Sequence, residues 1–387
     1  MKTVFCLSNV NPQGGVDLAT CTKVNALSKV DGCQVWLAIT EKTETLPIQL
    51  SKKVQLVDLR IRYNDNKQRF PWNLFIVLNK KRQHKKRLES LFSEIQPDIV
   101  VSVSNELSVL ASIKGPWKII REQHAVRKWD GLPVPSVGLK GIVYRVASIR
   151  ERFILRNKVD RVIVLTQEQK TVDWPDNDKA IVIPNPVRFI VEKPSSLSEK
   201  RVIAVGRLAY EKNYSSLVRA WARVVVSCPD WKLDIYGEGG DRWRVEEEIK
   251  RNNLIGAVSL KGITDRIDKE LLTSSLFVMT SKYEAFSLAI AEALCCGLPV
   301  VSYACPYGPL SIIEDGKNGY LVPLDDEVSL ANRICQLIMD ETLRKQMGAT
   351  AYDSAKQFSP SKIILQWIDL FRDLLAENQN RFPLNDT

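Results

Sequence analysis

The chain has 387 residues, of which 45% are hydrophobic and 26% charged, and its formal net charge is +10. This length is too great for one ordinary hydrophobic core, so it predicts two domains, and the composition excludes a disordered chain. No apolar run reaches the roughly 18–20 residues that a membrane-spanning helix needs. The opening residues MKTVFCLSNVNPQGG lack the apolar core of a signal peptide, and we expect them to form a first strand.

Short apolar runs alternate with helical stretches from one end of the chain to the other. Six runs lie in the first half, at 3–9, 33–40, 54–60, 98–104, 117–124 and 161–166. Five more follow residue 200, at 201–206, 231–237, 257–262, 276–281 and 299–304. Buried parallel strands have this pattern because helices cover both faces of their sheet. The two series therefore predict an α/β chain with two doubly wound, Rossmann-like domains.

The boundary between the two domains is predicted within VIPNPVRF, residues 182–189, where two prolines make a stiff connector. We assign 1–185 to an N-terminal domain and 186–359 to a C-terminal domain. The last helical stretch, about 360–378, has no strand after it, and we expect it to pack back on the first domain. The eight cysteines form no CxxC pair, which favours buried free thiols in a reducing cytosol over disulfides or a zinc site.

The excess positive charge is concentrated in two segments of the first half. NKKRQHKKR, residues 79–87, is almost entirely basic, and residues 139–158 mix cations with large apolar side chains. Such patches attract the phosphates of nucleic acid or of anionic lipid. The alternative is a solvated helix face that serves solubility alone, and His84 in the first segment is expected to be a solvated neighbour of its cations.

Two glutamates stand at a predicted strand-to-helix turn in SKYEAFSLAIAEALCCGLPVVSY, residues 281–303. Ser287 is the predicted N-cap of the helix and Gly297 ends it. The residues three and four positions from Glu292 on this helix are all uncharged and cannot pair with it, so we expect a polar ligand to satisfy this carboxylate. The alternative is an amphipathic helix that turns Glu292 to solvent. Glu284 precedes the helix, whose free N-terminal amides suit an anion.

This segment resembles the E-x7-E signature of the GT4 family, which are retaining glycosyltransferases of the GT-B fold that use nucleotide sugars. Four other segments match that family in order: AVGRLAYEKN (204–213), YGEGGDR (236–242), CPYGPLSIIEDGKNGYLVP (305–323) and IPNPV (183–187). The resemblance covers residues 183–323 well. It covers the first half loosely, through NPQGG (11–15) and REQHA (121–125).

The resemblance implies a set of site residues in a cleft between two GT-B domains. The catalytic residues that it implies are Glu284, His124, Arg207 and Lys212. The donor-binding residues that it implies are Gly14, Gly15, Arg207, Lys212, Glu284, Phe286, Ser287, Leu288 and Glu292. The two cations would hold the donor diphosphate while charge builds on it as it leaves, which is where positive charge assists the reaction.

The remaining roles also come from the resemblance. Glu292 would accept the ribose hydroxyls, Glu284 would bind the sugar near the reacting carbon, and His124 would reach the donor sugar. Gly14 and Gly15 would let the backbone approach a phosphate or the acceptor closely. At two positions this sequence has another residue where the family often has glycine. Ala285 would restrict positive φ at the turn, and Ser287 would bring a hydroxyl near the phosphates.

The sequence thus predicts a retaining hexosyltransferase that moves a sugar from a nucleotide diphospho-sugar, with UDP favoured, to a saccharide hydroxyl. No Asp-x-Asp ends a strand at the corresponding place, so we expect no metal and no cofactor. We expect the acceptor to be a lipid-linked glycan of bacterial surface polysaccharide, reached from the cytoplasm by peripheral contact with anionic membrane. The alternatives are a GT-B nucleotide-sugar epimerase, which needs more acid–base residues, and a nucleic-acid-binding protein, which the lack of interleaved aromatic residues disfavours.

Overall fold

The computed structural model describes residues 1–8, 10, 14–41, 46, 48–63, 74–104, 106–124, 139–175 and 177–381. The chain divides into two compact units. The first comprises Met1–Leu165, Lys170–Ile183 and the chain from Pro360 onward, and the second comprises Thr166–Gln169 and Pro184–Ser359. The sequence placed the domain boundary at 185/186, two residues after the division at 183/184.

The first unit is built on a parallel sheet of seven strands. They are β1 (Lys2–Leu7), β2 (Gln34–Ile39), β3 (Val54–Asp58), β4 (Ile99–Ser102), β5 (Lys118–Glu122), β6 (Arg161–Val164) and β7 (Ala180–Val182). Their order in the sheet is β3-β2-β1-β4-β5-β6-β7, so the order reverses between β1 and β4. The helices interleaved with these strands along the chain are α1 (Gly15–Leu27), α2 (Leu74–Ile95), α3 (Leu107–Leu110), α4 (Leu139–Asn157) and α5 (Gln167–Asp173).

The second unit repeats this architecture with six parallel strands. They are β8 (Arg201–Val205), β9 (Lys232–Tyr236), β10 (Val258–Gly262), β11 (Leu276–Met279), β12 (Val300–Tyr303) and β13 (Gly319–Val322). The sheet order is β10-β9-β8-β11-β12-β13. The helices are α6 (Tyr214–Ser227), α7 (Arg242–Arg251), α8 (Ile267–Leu272), α9 (Leu288–Cys295), α10 (Gly308–Ile312), α11 (Glu327–Met339) and α12 (Glu341–Ala355). Here the order reverses between β8 and β11, and ligands of doubly wound sheets bind at the carboxyl ends of such strands.

The last helix, α13 (Pro360–Arg381), belongs to the first unit. Its apolar residues recur every three or four positions and fill the core that also contains β1 and α1; they are Ile363, Ile364, Trp367, Ile368, Leu370, Phe371 and Leu374. The Trp367 ring lies 6.1 Å from that of Phe5, centre to centre. A second core covers the other face of the same sheet through α2 and α3. Both sheet faces are therefore buried, which is why the strand sequences are continuously apolar.

The structure confirms all eleven strands that the apolar runs predict, and it adds two short ones, β7 and β13. All eight cysteines are free, and six of them are buried. Among the described residues, no helix has both the length and the apolar character that crossing a bilayer requires. One prediction is wrong: His84 is buried rather than solvated, because it lies on the inner face of α2 beside Tyr63.

Candidate active site

Glu284 and Lys212 meet at the point of the second unit where the strand order reverses. Lys212 ends a short 3-10 turn after β8, and Glu284 lies in the turn between β11 and α9. The ammonium of Lys212 and the hydroxyl of Ser281 both donate to Oε1 of Glu284, the latter at 2.8 Å. The Thr280 hydroxyl donates to the carbonyl of Lys212 at 3.0 Å and ties the two turns together. Two predicted site residues that are 72 positions apart in sequence are thus in contact.

The segment after β12 covers this turn closely. The N–H of Gly308 donates to the carbonyl of Glu284 at 2.8 Å, and Tyr307 is paired with Glu284 as an isolated parallel bridge. A side chain at position 308 would crowd Glu284, since its Cβ would lie 2.9 Å from that of Glu284. The positive φ of this region, +71°, is at Tyr307 and not at Ala285. Ala285 therefore does not have to adopt the positive φ that its side chain would disfavour. The strained backbone conformation is at Tyr307, in the segment that covers the turn.

The start of α9 is capped as the sequence predicts, but Ser287 is oriented differently from the expectation. Its Oγ accepts a hydrogen bond from the N–H of Ile290 and donates to the sulfur of Met279, each at 3.3 Å. The side chain is buried and its hydroxyl is used within the turn, so the expected nearness of this hydroxyl to the phosphates stays a prediction. The backbone N–H groups of Phe286, Ser287 and Leu288 have no hydrogen-bond acceptor among the residues that the structure describes. These three amides are the groups that an anion would meet.

Glu292 has a partner that the sequence analysis missed. Arg188, in the connector before β8, makes a two-pronged ion pair with it: Nε to Oε1 at 2.5 Å and Nη2 to Oε2 at 2.6 Å. Burial opposes the charge on Arg188, but Glu292 outweighs it and holds the pKa of the guanidinium above its usual value. The charge partner of Glu292 is thus supplied by the connector and not by its own helix or by a ligand. Its burial alone no longer implies a ligand, although each carboxylate oxygen keeps a second lone pair for one.

Arg207 follows β8 and is 60% exposed, with Glu211 as its ion-pair partner at 2.5 Å. An exposed pair of this kind contributes only about 0–1 kcal/mol, so a more highly charged anion could replace Glu211. The glycine-rich segment 236–242 packs directly on this turn. The N–H of Leu208 donates to the carbonyl of Glu238 at 2.9 Å, and a Cβ on Gly237 or Gly239 would overlap the carbonyls of Gly206 and Leu208. These glycines are needed for the close approach that fixes the Arg207 turn.

The other predicted residues lie in the first unit. Gly14 is the N-cap of α1 and Gly15 its first residue, and Gly14 has a φ of −77°, which any residue adopts. Residues 11–13 of the predicted NPQGG element and Ala125 of REQHA lie outside the described residues. His124 lies two residues after the end of β5, and its Nε2 lies 2.8 Å from Oε2 of Glu122. Burial lowers the pKa of His124, and the nearby Glu122 only partly offsets this effect.

The predicted site residues divide between the two units, and among them the structure shows a direct side-chain contact between Lys212 and Glu284. The second-unit set is Arg207, Lys212, Glu284, Phe286, Ser287, Leu288 and Glu292. The first-unit set is Gly14, Gly15 and His124. Arg188 could have been found from the sequence only as the single cation in an otherwise apolar and proline-rich connector. Its contact with Glu292 spans 104 positions, and no local pattern reports such a contact.

Solved structures identify the fold as GT-B. Staphylococcus aureus TarM in complex with fondaparinux, alpha-GlcNAc-glycerol and UDP has a TM-score of 0.76 at 16% identity, and the match covers 96% of this chain and 99% of that one. Anabaena Alr3699/HepE in complex with UDP-glucose has a TM-score of 0.74 at 18% identity, covering 96% and 100%. At these identities the likeness establishes the architecture alone.

Residues 188–354, which contain every second-unit site residue named above, match the family of glycosyl transferases group 1. A Bacillus subtilis poly(glycerol-phosphate) alpha-glucosyltransferase is 34% identical over 215 residues, 56% of this chain and 31% of that protein. An exopolysaccharide phosphotransferase of Streptomyces coelicolor is 31% identical over 229 residues, 57% of this chain and 24% of that protein. This chain therefore spans less than a third of the length of either relative. The comparisons thus show a GT-B fold and, within residues 188–354, a similarity to group 1 glycosyl transferases.

Proposed function

We propose that this protein is a retaining glycosyltransferase that moves a hexose-type sugar from a UDP-sugar to a saccharide hydroxyl. The observation that carries the proposal is the contact of Lys212 with Glu284 at the reversal point of the second sheet, inside the region that matches the group 1 family. A cation and a carboxylate held side by side are suited to a reaction that separates charge. The anomeric carbon becomes positive while the diphosphate becomes negative.

The proposed chemistry uses each group for one of these charges. Lys212 and Arg207 bind the diphosphate, and the amides of Phe286–Leu288 bind its distal phosphate, so negative charge is stabilised as it develops. The bond from the anomeric carbon to the phosphate oxygen breaks, and the acceptor oxygen bonds to that carbon on the same face. The acceptor proton passes to the departing phosphate oxygen. Glu284 binds sugar hydroxyls and stabilises the positive charge at the carbon.

In the free protein Lys212 and Glu284 are each other's counter-ions. Donor binding would exchange this pair for two new ones, the ammonium with a phosphate and the carboxylate with sugar hydroxyls. The second oxygen of Glu284 is not used by Lys212 or Ser281, so it can accept a hydroxyl before the pair separates. Glu292, held at both oxygens by Arg188, is a rigid acceptor for the ribose hydroxyls.

Two observations support UDP as the nucleotide and an acceptor that contains sugar or polyol hydroxyls. Solved proteins of the same fold have bound UDP or UDP-glucose, and one of them also alpha-GlcNAc-glycerol. The Bacillus relative is named for glucosyl transfer to poly(glycerol-phosphate). We propose a lipid-linked glycan of bacterial surface polysaccharide as the acceptor and no requirement for a metal ion, since cations and amides are positioned to bind the diphosphate.

The first unit has surfaces that suit peripheral contact with anionic lipid at the cytoplasmic face of the membrane. On α2, exposed Phe75 and Leu78 lie on the same face as exposed Arg82 and Lys86, at spacings of three and four residues. On α4, Val146, Ile149 and Phe153 form an exposed apolar stripe at the same spacings, with Phe153 61% exposed. Apolar side chains flanked by cations on one helix face are typical of helices that lie in a membrane interface.

The test is a panel of UDP- and GDP-sugars, first by thermal shift and then with saccharide acceptors and product stereochemistry by NMR. We expect stabilisation by UDP-sugars and an α-linked product from an α-linked donor. Lys212→Met should lower kcat/KM for the donor at least hundredfold. Lys345→Met is the matched control, because Lys345 makes an exposed ion pair with Glu341 on α12, outside the donor motifs. An inverted product, or epimerisation of the nucleotide sugar without transfer, would contradict the proposal.

A further inference from the structure

Residues 305–308 form the covering segment of the Glu284 turn, and one of them, Tyr307, has a strained backbone. Its φ of +71° and ψ of −84° lie near the rare γ-turn conformation, which residues with a side chain adopt only at a cost in free energy. Tyr307 is also buried. A strained residue keeps its conformation only where the surrounding contacts hold it there. The contacts on either side of Tyr307 therefore determine where the covering segment lies.

The contacts on the carboxyl side of Tyr307 lead to α10 and α9. The carbonyl of Tyr307 accepts the N–H of Ser311 at 3.1 Å, in the first turn of α10. The N–H of Gly308 donates to the carbonyl of Glu284 at 2.8 Å. Position 308 has little space for a side chain, since its Cβ would lie 2.9 Å from that of Glu284 and 3.1 Å from the backbone nitrogen of Ser287. The covering segment thus packs directly on Glu284 and on the start of α9.

The contact on the amino side of Tyr307 comes from the first turn of α5. The N–H of Tyr307 donates to Oε2 of Glu168 at 2.9 Å, across 139 positions of the sequence. This turn of α5 is itself fixed, because Oγ1 of Thr166 accepts the N–H of Gln169 at 3.1 Å, as an N-cap does. Thr166–Gln169 belong to the second unit, so the contact lies within the unit that carries Glu284.

We propose that Glu168 is a positioning residue of the donor site: it holds Tyr307 in the strained conformation that keeps the covering segment on Glu284. The inference rests on the proposed function for the ligand that Glu284 binds. Because a hydrogen bond to a carboxylate is stronger than one between neutral groups, this contact offsets the strain at Tyr307. Without it, rotation about φ of Tyr307 would relieve the strain and withdraw the N–H of Gly308 from the Glu284 carbonyl. The Glu284 side chain would then lose its fixed direction towards the sugar.

A purely electrostatic effect would be a different role for Glu168. Burial raises the pKa of the Cys305 thiol, and the charges of Glu284 and Glu168 raise it further, so Glu168 is close enough to act on this site through its charge as well. A glutamine at position 168 keeps a side-chain oxygen that can accept the N–H of Tyr307 and removes the charge. Comparison of Glu168→Gln with Glu168→Ala therefore separates the hydrogen bond from the charge.

Hydrogen exchange tests the holding role without any assay of sugar transfer. Pro306 and Pro309 have no N–H, so Tyr307 and Gly308 carry the only backbone amides between them, and the deuterium taken up there reports on these two alone. In Glu168→Ala we expect both amides to exchange at least tenfold faster than in the wild type, while fragments from β12 are unchanged. In Glu168→Gln both amides should exchange within about threefold of the wild-type rate.

The kinetic arm separates the positioning of Glu284 from a general weakening of the donor site. Glu168→Ala should lower kcat/KM for the UDP-sugar about tenfold and leave the Kd of UDP, which has no sugar, within about threefold. Glu168→Gln should retain at least half of the wild-type kcat/KM. Glu341→Ala is the matched control, because Glu341 makes an exposed ion pair with Lys345 on another helix of the same unit, and it should change none of these constants.

The outcomes distinguish this inference from the proposed function. Unchanged exchange of Gly308 or an unchanged kcat/KM in Glu168→Ala overturns the positioning role, and so does a Gln variant as impaired as the Ala variant. Lower thermal stability with faster exchange throughout the second unit in Glu168→Ala would mean that Glu168 is structural only, which also overturns it. A wild type that shows the expected exchange but transfers no sugar overturns the proposed function, and leaves Glu168 as the residue that holds the covering segment.

Discussion

At the scale of single residues, each of the two glutamates of the E-x7-E segment is held by one cation in a different way. Arg188 occupies both oxygens of Glu292 with a planar fork, which fixes the carboxylate in one orientation. Lys212 is a point charge on one oxygen of Glu284, shared with Ser281. The first arrangement suits a fixed binding group, and the second suits a pair that separates when a donor arrives.

The fixed role of Glu292 predicts a binding defect. Glu292→Gln should raise the Michaelis constant for the donor about ten- to a hundredfold, since a lost charged acceptor is worth ~1.5–3 kcal/mol, and should change kcat less. The substitution also leaves Arg188 without its partner, so thermal unfolding must be measured beside steady-state kinetics. Arg188→Gln is the control, because it removes the same ion pair and keeps the carboxylate; its Michaelis constant should rise less. An unchanged Michaelis constant in Glu292→Gln would exclude Glu292 from the donor site.

The cations at the end of β8 lead to a second prediction, on metal dependence. Arg207 and Lys212 supply positive charge where a divalent ion would otherwise bind the diphosphate, so transfer should survive excess EDTA with at least half of its rate. Rates with and without added Mg²⁺ and Mn²⁺ check this directly. Complete loss on chelation that either ion restores would contradict the metal-free proposal.

At the scale of elements, α2 shows that a basic sequence pattern does not by itself fix whether a residue is exposed or buried. Its residues 79–87 are mostly basic, which predicted a solvated environment for His84. Instead, His84 is buried on the inner face and the Tyr63 hydroxyl lies 3.1 Å from its Nδ1. Burial lowers the pKa of His84 to about 4. A helix that carries a mostly basic segment can thus still bury one face in the core.

This burial predicts a pH dependence of stability. The folded pKa of His84 is depressed from 6.5 to about 4, so the unfolded chain binds more protons between these values. Stability from this group is complete above pH 6.5 and is lost as the pH falls towards 4, by about 3 kcal/mol in total. His84→Asn keeps an acceptor for Tyr63 without the titration. Urea unfolding at pH 7 and 4.5 should show wild type losing about 2–3 kcal/mol more than the variant, and equal losses would contradict the assignment.

The sequence predicted those elements whose burial leaves a local pattern of apolar residues. Eleven strands appear as apolar runs because parallel strands are covered on both faces. The strands β7 and β13 were missed since each has three or four residues and lies at the end of its sheet. The N-cap at Ser287 was predicted because capping is local. Its hydroxyl orientation and the Arg188–Glu292 pair were not, because both depend on contacts with residues on other elements.

At the scale of the whole molecule, the effect of the net charge of +10 depends on which cations have partners within the protein and which are exposed. Several cations of α2 have internal roles: Lys80 donates to the carbonyl of Arg62, Arg87 donates to that of Leu59, and Lys85 pairs with Glu89 at 3.6 Å. Reversing Lys80 or Arg87 would remove hydrogen bonds that tie α2 to the segment around residues 59–62. Lys81, Arg82 and Lys86 are exposed, and they are the cations through which α2 can attract an anionic surface.

The last prediction follows from these three exposed cations. Reversing their charge should weaken sedimentation with anionic vesicles at least a hundredfold at low salt, because each cation near such a surface contributes ~1 kcal/mol. The effect should shrink at physiological salt, where screening acts within ~8 Å. Transfer to a lipid-linked acceptor should fall, while transfer to a soluble saccharide should be unchanged, since none of the three belongs to the donor motifs. Reversal of the exposed Arg223, Lys250 and Lys269 in the second unit gives the same net charge and should leave sedimentation intact. Equal sedimentation of wild type and the α2 variant with anionic vesicles would mean that this face serves solubility, and the proposed membrane contact would be wrong.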